Sequence, residues 1–250
     1  MTVFAHGVKT HYQRIGLGPN LVLLHGWGGD WQSWYSVIPI LSDYFQIIIP
    51  DIPVFGSSEN PPETWTSHDY AIWLQNFIHA VLPDEKFSLV GHSFGGKIAS
   101  ILAARHPSEL QKLILVDSAG LPDDMRAIKK AQHYLLSKVP DIVKEKIPFS
   151  VKKKFLAITN SASDHLHSNP AQRRILKNVI REYIREDLEK ITTPTLLIWG
   201  ENDQDTPVSH AEKFNSYIKD SQLEILPHAG HFSFQDQTIL FISELEKFLS

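Results

Sequence analysis

The sequence has no cysteine. Disulfides, thiolate metal sites and cysteine nucleophiles are therefore excluded together, and a chain without thiols suits a reducing compartment. Long apolar runs are also missing: nothing approaches the roughly 18 uninterrupted apolar residues of a membrane-spanning helix. The opening residues, MTVFAHGVKTHYQ, lack the basic start and apolar stretch of a secretory signal. Strong charge is absent as well, because a formal net charge of −4 over 250 residues gives no reason to expect nucleic acid. The histidines show no H-E-x-x-H and no paired spacing with acids, so neither a metal nor a cofactor is expected. A soluble, cytoplasmic protein is the expectation.

What the chain does have is a set of short, continuous apolar runs, at 21–24, 46–49, 87–90, 113–116 and 195–199. Unbroken rather than alternating, they read as strands covered on both faces of a parallel sheet. Helical stretches separate most of them. One over 66–81 has Thr66 or Ser67 as a cap, another over 94–107 is rich in alanine, and a third lies near the C-terminus. This alternation predicts an α/β fold with a mainly parallel central sheet flanked by helices. Residues 2–16 read as an antiparallel hairpin turned by Gly7.

The alternation breaks between about Leu121 and Lys190. That stretch is helical in pattern and free of strands, and Ile175, Val179 and Tyr183, with Leu176, Ile180 and Ile184, form one stripe at i, i+4 spacing. The domain reading is a core of 1–120 and 191–250 interrupted by a helical insertion over 121–190. The insertion carries an excess of lysine and arginine, whereas the remainder is net acidic.

In an open parallel sheet, ligands sit beyond the carboxyl ends of the strands, so the polar residues after each run matter most. Gly91-His92-Ser93-Phe94-Gly95 follows the third run, with a further glycine at Gly96. Glycines let a strand reverse sharply into a helix, and a serine at the apex is held in the open. A serine hydroxyl needs a base to take its proton and a carboxylate to orient that base. His231 follows a further short strand near the C-terminus, and Asp203 follows the fifth run, giving the chain order Ser93, Asp203, His231.

Taken together, HGWGG at 25–29, DIPVFGSS at 51–58, GHSFGG at 91–96, WGENDQDTP at 199–207 and HAGHF at 228–232 resemble the α/β-hydrolase superfamily over nearly the whole chain. The resemblance implies that Ser93 is the nucleophile, His231 the base and Asp203 the acid. It implies oxyanion donors at the backbone N–H groups of Phe94 and Trp27, and a cap in the insertion. Asp205 and Asp117 are competing acids, and His228 is a competing base. His25 and His92 read as loop-shaping hydrogen-bonders. Val54 stands where the family usually has glycine, which puts the local backbone in question.

The function implied is a serine hydrolase of carboxylic esters with small to medium acyl groups, its partner being a small-molecule ester. Three alternatives use the same fold: carbon–carbon hydrolysis of ring-fission products, methyl ester cleavage on a carrier protein, and a low-turnover hormone receptor. In the second, Lys152, Lys153, Lys154, Arg173 and Arg174 would dock an acidic carrier protein. Tryptophans Trp27, Trp31 and Trp34, with Phe94, read either as pocket lining or as core.

Overall fold

A computed structural model describes residues 1–122 and 170–250. Most of the predicted insertion, including Lys152, Lys153 and Lys154, lies outside them. Met1–Leu121 with Arg174–Ser250 form one compact unit, which holds the whole sheet and Ser93, Asp203, His231, Trp27 and Phe94; Pro122–Arg173 form another. Among the described residues, no helix is long and apolar enough to cross a membrane.

Eight strands build one sheet: β1 (Thr2–Ala5), β2 (Val8–Ile15), β3 (Asn20–Leu24), β4 (Gln46–Pro50), β5 (Phe87–His92), β6 (Leu110–Val116), β7 (Thr195–Gly200) and β8 (Ser221–Leu226). Their order is β1-β2-β4-β3-β5-β6-β7-β8. Pairing is parallel from β4 through β8, and antiparallel for β1 with β2 and β2 with β4. The first hairpin turns at His6-Gly7, both at positive φ, as a two-residue turn matched to strand twist requires. Central strands are buried except near their starts, whereas edge strand β8 exposes Glu224 and Ile225 near its end.

Helix α1 (Ile38–Leu41) leads to α2 (Ser67–Val81), which opens with a capping box. Thr66 Oγ1 accepts from the Asp69 amide, and the Asp69 carboxylate accepts from the Thr66 amide. Helix α3 (Phe94–Ala103) is buried along its entire length. The next described helices are α4 (Pro170–Val179), α5 (Arg185–Leu188), α6 (Val208–Tyr217), α7 (Ser233–Asp236) and α8 (Thr238–Leu249). On one side of the sheet, Leu21, Ile47, Val90, Ile114 and Ile198 pack with Trp34, Phe234 and Phe241. Each such side chain contributes about 1.5–3 kcal/mol by leaving water. Trp34 is therefore core rather than pocket.

The apolar stripe read across 175–184 is not one helix. It breaks after Val179, leaving Ile180 and Tyr183 exposed while Ile175, Leu176, Val179 and Ile184 stay buried. A buried lysine on α3 meets that break. Lys97 is 3% exposed, and its ammonium donates to the carbonyls of Val179 at 2.5 Å and Glu182 at 2.6 Å. The Val179 carbonyl also accepts a long bond, 3.4 Å, from the Glu182 amide, a tight turn and not a continued α-helical ladder. Glu182 also accepts from the Ser67 amide at the start of α2, and the Ile184 amide donates to Gly120.

Burial holds the Lys97 ammonium down at about 8, while the Glu182 carboxylate acts upward. The unfolded value of 10.5 is higher, so between about 8 and 10.5 the unfolded chain binds more protons. This group's contribution to stability therefore rises with pH across that window. Lys97→Met, which leaves two carbonyls without their donor, is expected to cost about 1–3 kcal/mol. The melting-temperature gap between wild type and this variant should widen in favour of wild type from pH 8 to 10.5; a constant gap would contradict the assignment.

Candidate active site

The elbow at Ser93 is forced by backbone crowding. A Cβ on Gly91 would stand 2.6 Å from the carbonyl oxygen of Gly95 and 2.7 Å from the Cα of Gly96. One on Gly95 would stand 2.6 Å from the carbonyl oxygens of both His25 and Leu24, and one on Gly96 would collide with Ser118 Oγ. Only glycine fits all three. Ser93 itself takes φ +51 and ψ −113, a costly backbone for a residue with a Cβ, held by hydrogen bonds on both sides. Its amide donates to Val116 O at 3.0 Å, and its carbonyl accepts from the amides of Lys97 and Ala119. From Leu89 to Ala103 Ser93 alone is not buried.

The strand order brings the three sequence-predicted residues together. Ser93 follows β5, Asp203 follows β7 and His231 follows β8, all at the carboxyl edge of the sheet. Ser93 Oγ donates to His231 Nε2 at 3.0 Å, and His231 Nδ1 donates to Asp203 Oδ2 at 2.8 Å. The imidazole is thus in the tautomer that can accept a proton from the serine. The Asp203 side chain is fully buried and that of His231 is 14% exposed.

Four donors converge on the Asp203 carboxylate. Oδ1 accepts from the amides of Asp205 and Thr206, and Oδ2 from His231 and from Thr206 Oγ1 at 2.7 Å. Burial pushes Asp203 upward, but the hydrogen bond and charge of His231, with the bonds from Thr206, outweigh it and hold the carboxyl below its ordinary value. Burial pulls His231 down; the hydrogen bond and charge of Asp203, helped by Asp117 and Asp205, outweigh that and raise it above 6.5.

Of the competing acids, Asp205 is exposed and lends Asp203 its amide. Asp117 follows β6, between the strands that carry Ser93 and Asp203. Its Oδ1 accepts from the Gly200 amide, and its Oδ2 from the amide and hydroxyl of Ser233. It therefore ties the start of the Asp203 loop to the turn just after His231. Burial pushes Asp117 up to about 7. His228 is exposed, with its amide bound to Glu201.

His92 and His25 hold loops. His92 Nε2 donates to the His231 carbonyl at 2.7 Å, and burial and the neighbouring His231 drive His92 down to about 3, so it stays neutral. His25 Nδ1 donates to Gly26 O, and His25 Nε2 accepts from the Ile52 amide, joining the loops after β3 and β4. In the second of these loops, Asp51 accepts from the Trp31 and Ser57 amides and from His11. Val54, in that loop, takes φ +81, which glycine would adopt without strain.

Trp27 is partly exposed and meets the rings of Phe55 and Phe94 edge-on at 4.9 and 5.3 Å. The Trp27 and Phe94 amides belong to the loop after β3 and the first turn of α3, segments that meet where Gly95 touches His25. Phe232, beside His231, is 46% exposed. Sequence reasoning missed Thr206 and Ser233, whose hydroxyls act on carboxylates. The signal was a threonine three residues after Asp203, within reach of its side chain.

A family model for the alpha/beta hydrolase fold matches residues 19–146 and 148–238. A 2-hydroxy-6-oxo-6-(2'-aminophenyl)hexa-2,4-dienoic acid hydrolase from Metapseudomonas resinovorans is 30% identical, over 99% of this chain and 90% of its own length. A pimeloyl-[acyl-carrier protein] methyl ester esterase from Legionella pneumophila (strain Paris) is 31% identical, over 97% of this chain and 100% of its own. Among solved structures, a serine hydrolase involved in carbazole degradation superposes with a TM-score of 0.77 at 28% identity, covering 100% of this chain and 97% of that one.

Gly95→Ala puts a methyl against two backbone carbonyls that cannot swing aside. Overpacking of about 1–3 kcal/mol or more is expected, which lowers the melting temperature by roughly 2 °C or more in a chain of this size. Thermal unfolding followed by circular dichroism checks this; an unchanged midpoint would contradict the close approach.

Proposed function

The chain belongs to the α/β-hydrolase family, and from that membership we propose that it hydrolyses carboxylic esters of small to medium acyl groups through an acyl-enzyme. The observation that supports this is the unbroken hydrogen-bond chain from Ser93 Oγ through His231 to Asp203. Ser93 Oγ attacks the ester carbonyl carbon as its proton passes to His231 Nε2. The tetrahedral intermediate collapses when His231 returns that proton to the leaving alcohol. Water, deprotonated by the same nitrogen, then frees the acid and restores Ser93.

Charge developing on the carbonyl oxygen is met by the amides of Phe94 and Trp27, each such donor worth about 3–4 kcal/mol of barrier. Asp203 orients the imidazole and stabilises its charged form. In this reading the insertion over 121–190, mostly outside the described residues, is a cap. The protein acts in the cytoplasm on a small-molecule ester, without a cofactor.

A second reading, carbon–carbon hydrolysis of a ring-fission product, is favoured by the 30% identical dienoic acid hydrolase. The 31% identical esterase favours a carrier-bound methyl ester within the first reading. Arg173 and Arg174, both exposed on α4, are then the described part of a surface that docks an acidic carrier.

Release of p-nitrophenol from a short-chain ester, compared between wild type and Ser93→Ala, tests the mechanism. Many turnovers that vanish in the variant are expected, with the melting temperature little changed; turnover that persists would refute Ser93 as nucleophile. Vigorous cleavage of a vinylogous 1,5-diketo acid with little on any ester would favour the second reading.

Activity requires neutral His231, whose proton affinity is raised. The acid limb of kcat/KM is therefore expected above pH 6.5, with activity lost as pH falls through it. A flat profile would contradict His231 as the base, and a limb below 6.5 would contradict the upward shift.

A further inference from the structure

The loop that carries Asp203 contains a hydroxyl with no part in the steps above. Thr206 is 7% exposed, and its Oγ1 lies 2.7 Å from Asp203 Oδ2, 3.0 Å from the Asp117 carbonyl and 3.4 Å from His231 Nδ1. A threonine hydroxyl has one proton to give. If that proton went to the Asp117 carbonyl, two oxygen lone pairs would face each other at 2.7 Å across the Asp203 contact. The shorter distance and the charged acceptor both place the proton on Asp203. Oδ2 is thus shared: the oxygen that receives His231 Nδ1–H also receives Thr206 Oγ1–H. The Thr206 amide holds the other oxygen, at 3.0 Å, so one residue grips both ends of the carboxylate.

We infer that Thr206 is a positioning residue that sets the orientation and the basicity of Asp203, and through it the proton affinity of His231. This rests on the reading of Ser93, His231 and Asp203 as the catalytic set. The hydroxyl draws electron density from Oδ2 and weakens the pull of Asp203 on the imidazole proton. Without it the carboxylate would hold that proton more tightly and lose an anchor against rotation about its Cβ–Cγ bond. The other charged or titratable groups that bear on this pair are Asp117 from the end of β6, Asp205 in the same loop and His92 from the end of β5. Of these, only Asp117 touches the threonine side chain, through its backbone carbonyl and not its carboxylate. Asp117, which burial lifts to about 7, titrates in the same range, so the effect is read as a difference between variants.

Thr206→Val keeps the volume and removes the hydroxyl; Thr206→Ser keeps the hydroxyl and removes the methyl. Two readouts are taken on each. The first is titration of the His231 imidazole followed by proton NMR in the absence of substrate, its resonance identified by its loss in His231→Gln. The second is kcat and KM on a p-nitrophenyl ester across pH. For Thr206→Val the His231 midpoint is expected to rise by roughly half a unit. Its kcat should fall about tenfold with KM nearly unchanged, as misorientation of a catalytic group would cause. Thr206→Ser should retain both wild-type values.

An unmoved His231 midpoint in Thr206→Val would overturn the inference whatever the turnover. Equal impairment of the two variants would overturn it too, because packing of the methyl would then be the cause. Because the NMR titration needs no turnover, failure of the catalytic reading shows separately, as activity surviving in Ser93→Ala.

Discussion

Everything at the site depends on how closely two pieces of backbone approach each other. The first turn of α3 lies against the end of β3 with no room for a side chain at Gly95, while Gly91 meets the carbonyl oxygen of Gly95. That contact fixes the strained Ser93 and brings the loop carrying Trp27 to the same place. It is a negative requirement: the chain must lack atoms at three positions so that one hydroxyl can stand free. The strain is held because β5 is the middle of the sheet, bonded to β3 on one side and β6 on the other.

A second layer of organisation runs along the carboxyl edge as buried polar bonds. His25 ties the loop after β3 to that after β4, Asp117 ties β7 to the turn after His231, and His92 holds the His231 carbonyl. Each of these groups is buried and would cost free energy if left unpaired. Their partners belong to different loops, so satisfying them also fixes the loops relative to one another. His92 and His25 are kept neutral by burial, and of these three imidazoles His231 is the one whose charged form is favoured.

The sheet was legible in the sequence because its central strands are continuous apolar runs, and the elbow because three glycines crowd one serine. The order of Ser93, Asp203 and His231 was legible only as a pattern; their distances needed the strand order, which brings β5, β6, β7 and β8 side by side. What periodicity misread was the stretch after Pro170. Its stripe continues past Val179, yet the helix ends there, and the carbonyls of Val179 and Glu182 bind Lys97, far away in sequence. Thr206 and Ser233 were hidden for a similar reason. A hydroxyl carries no signal in a sequence until the acceptor it reaches is known.

The bond between Ser93 and His231 joins residues 138 apart in the chain. Loop closure of that span is costly in chain entropy and must precede any reward from the contact. The elbow needs β3 and β6 beside β5, but the nucleophile meets its base only when β8 has also docked on the far edge of the sheet. The site is thus complete only when the edge strand β8 is in place, so its integrity reports on the whole sheet and not on any one local segment.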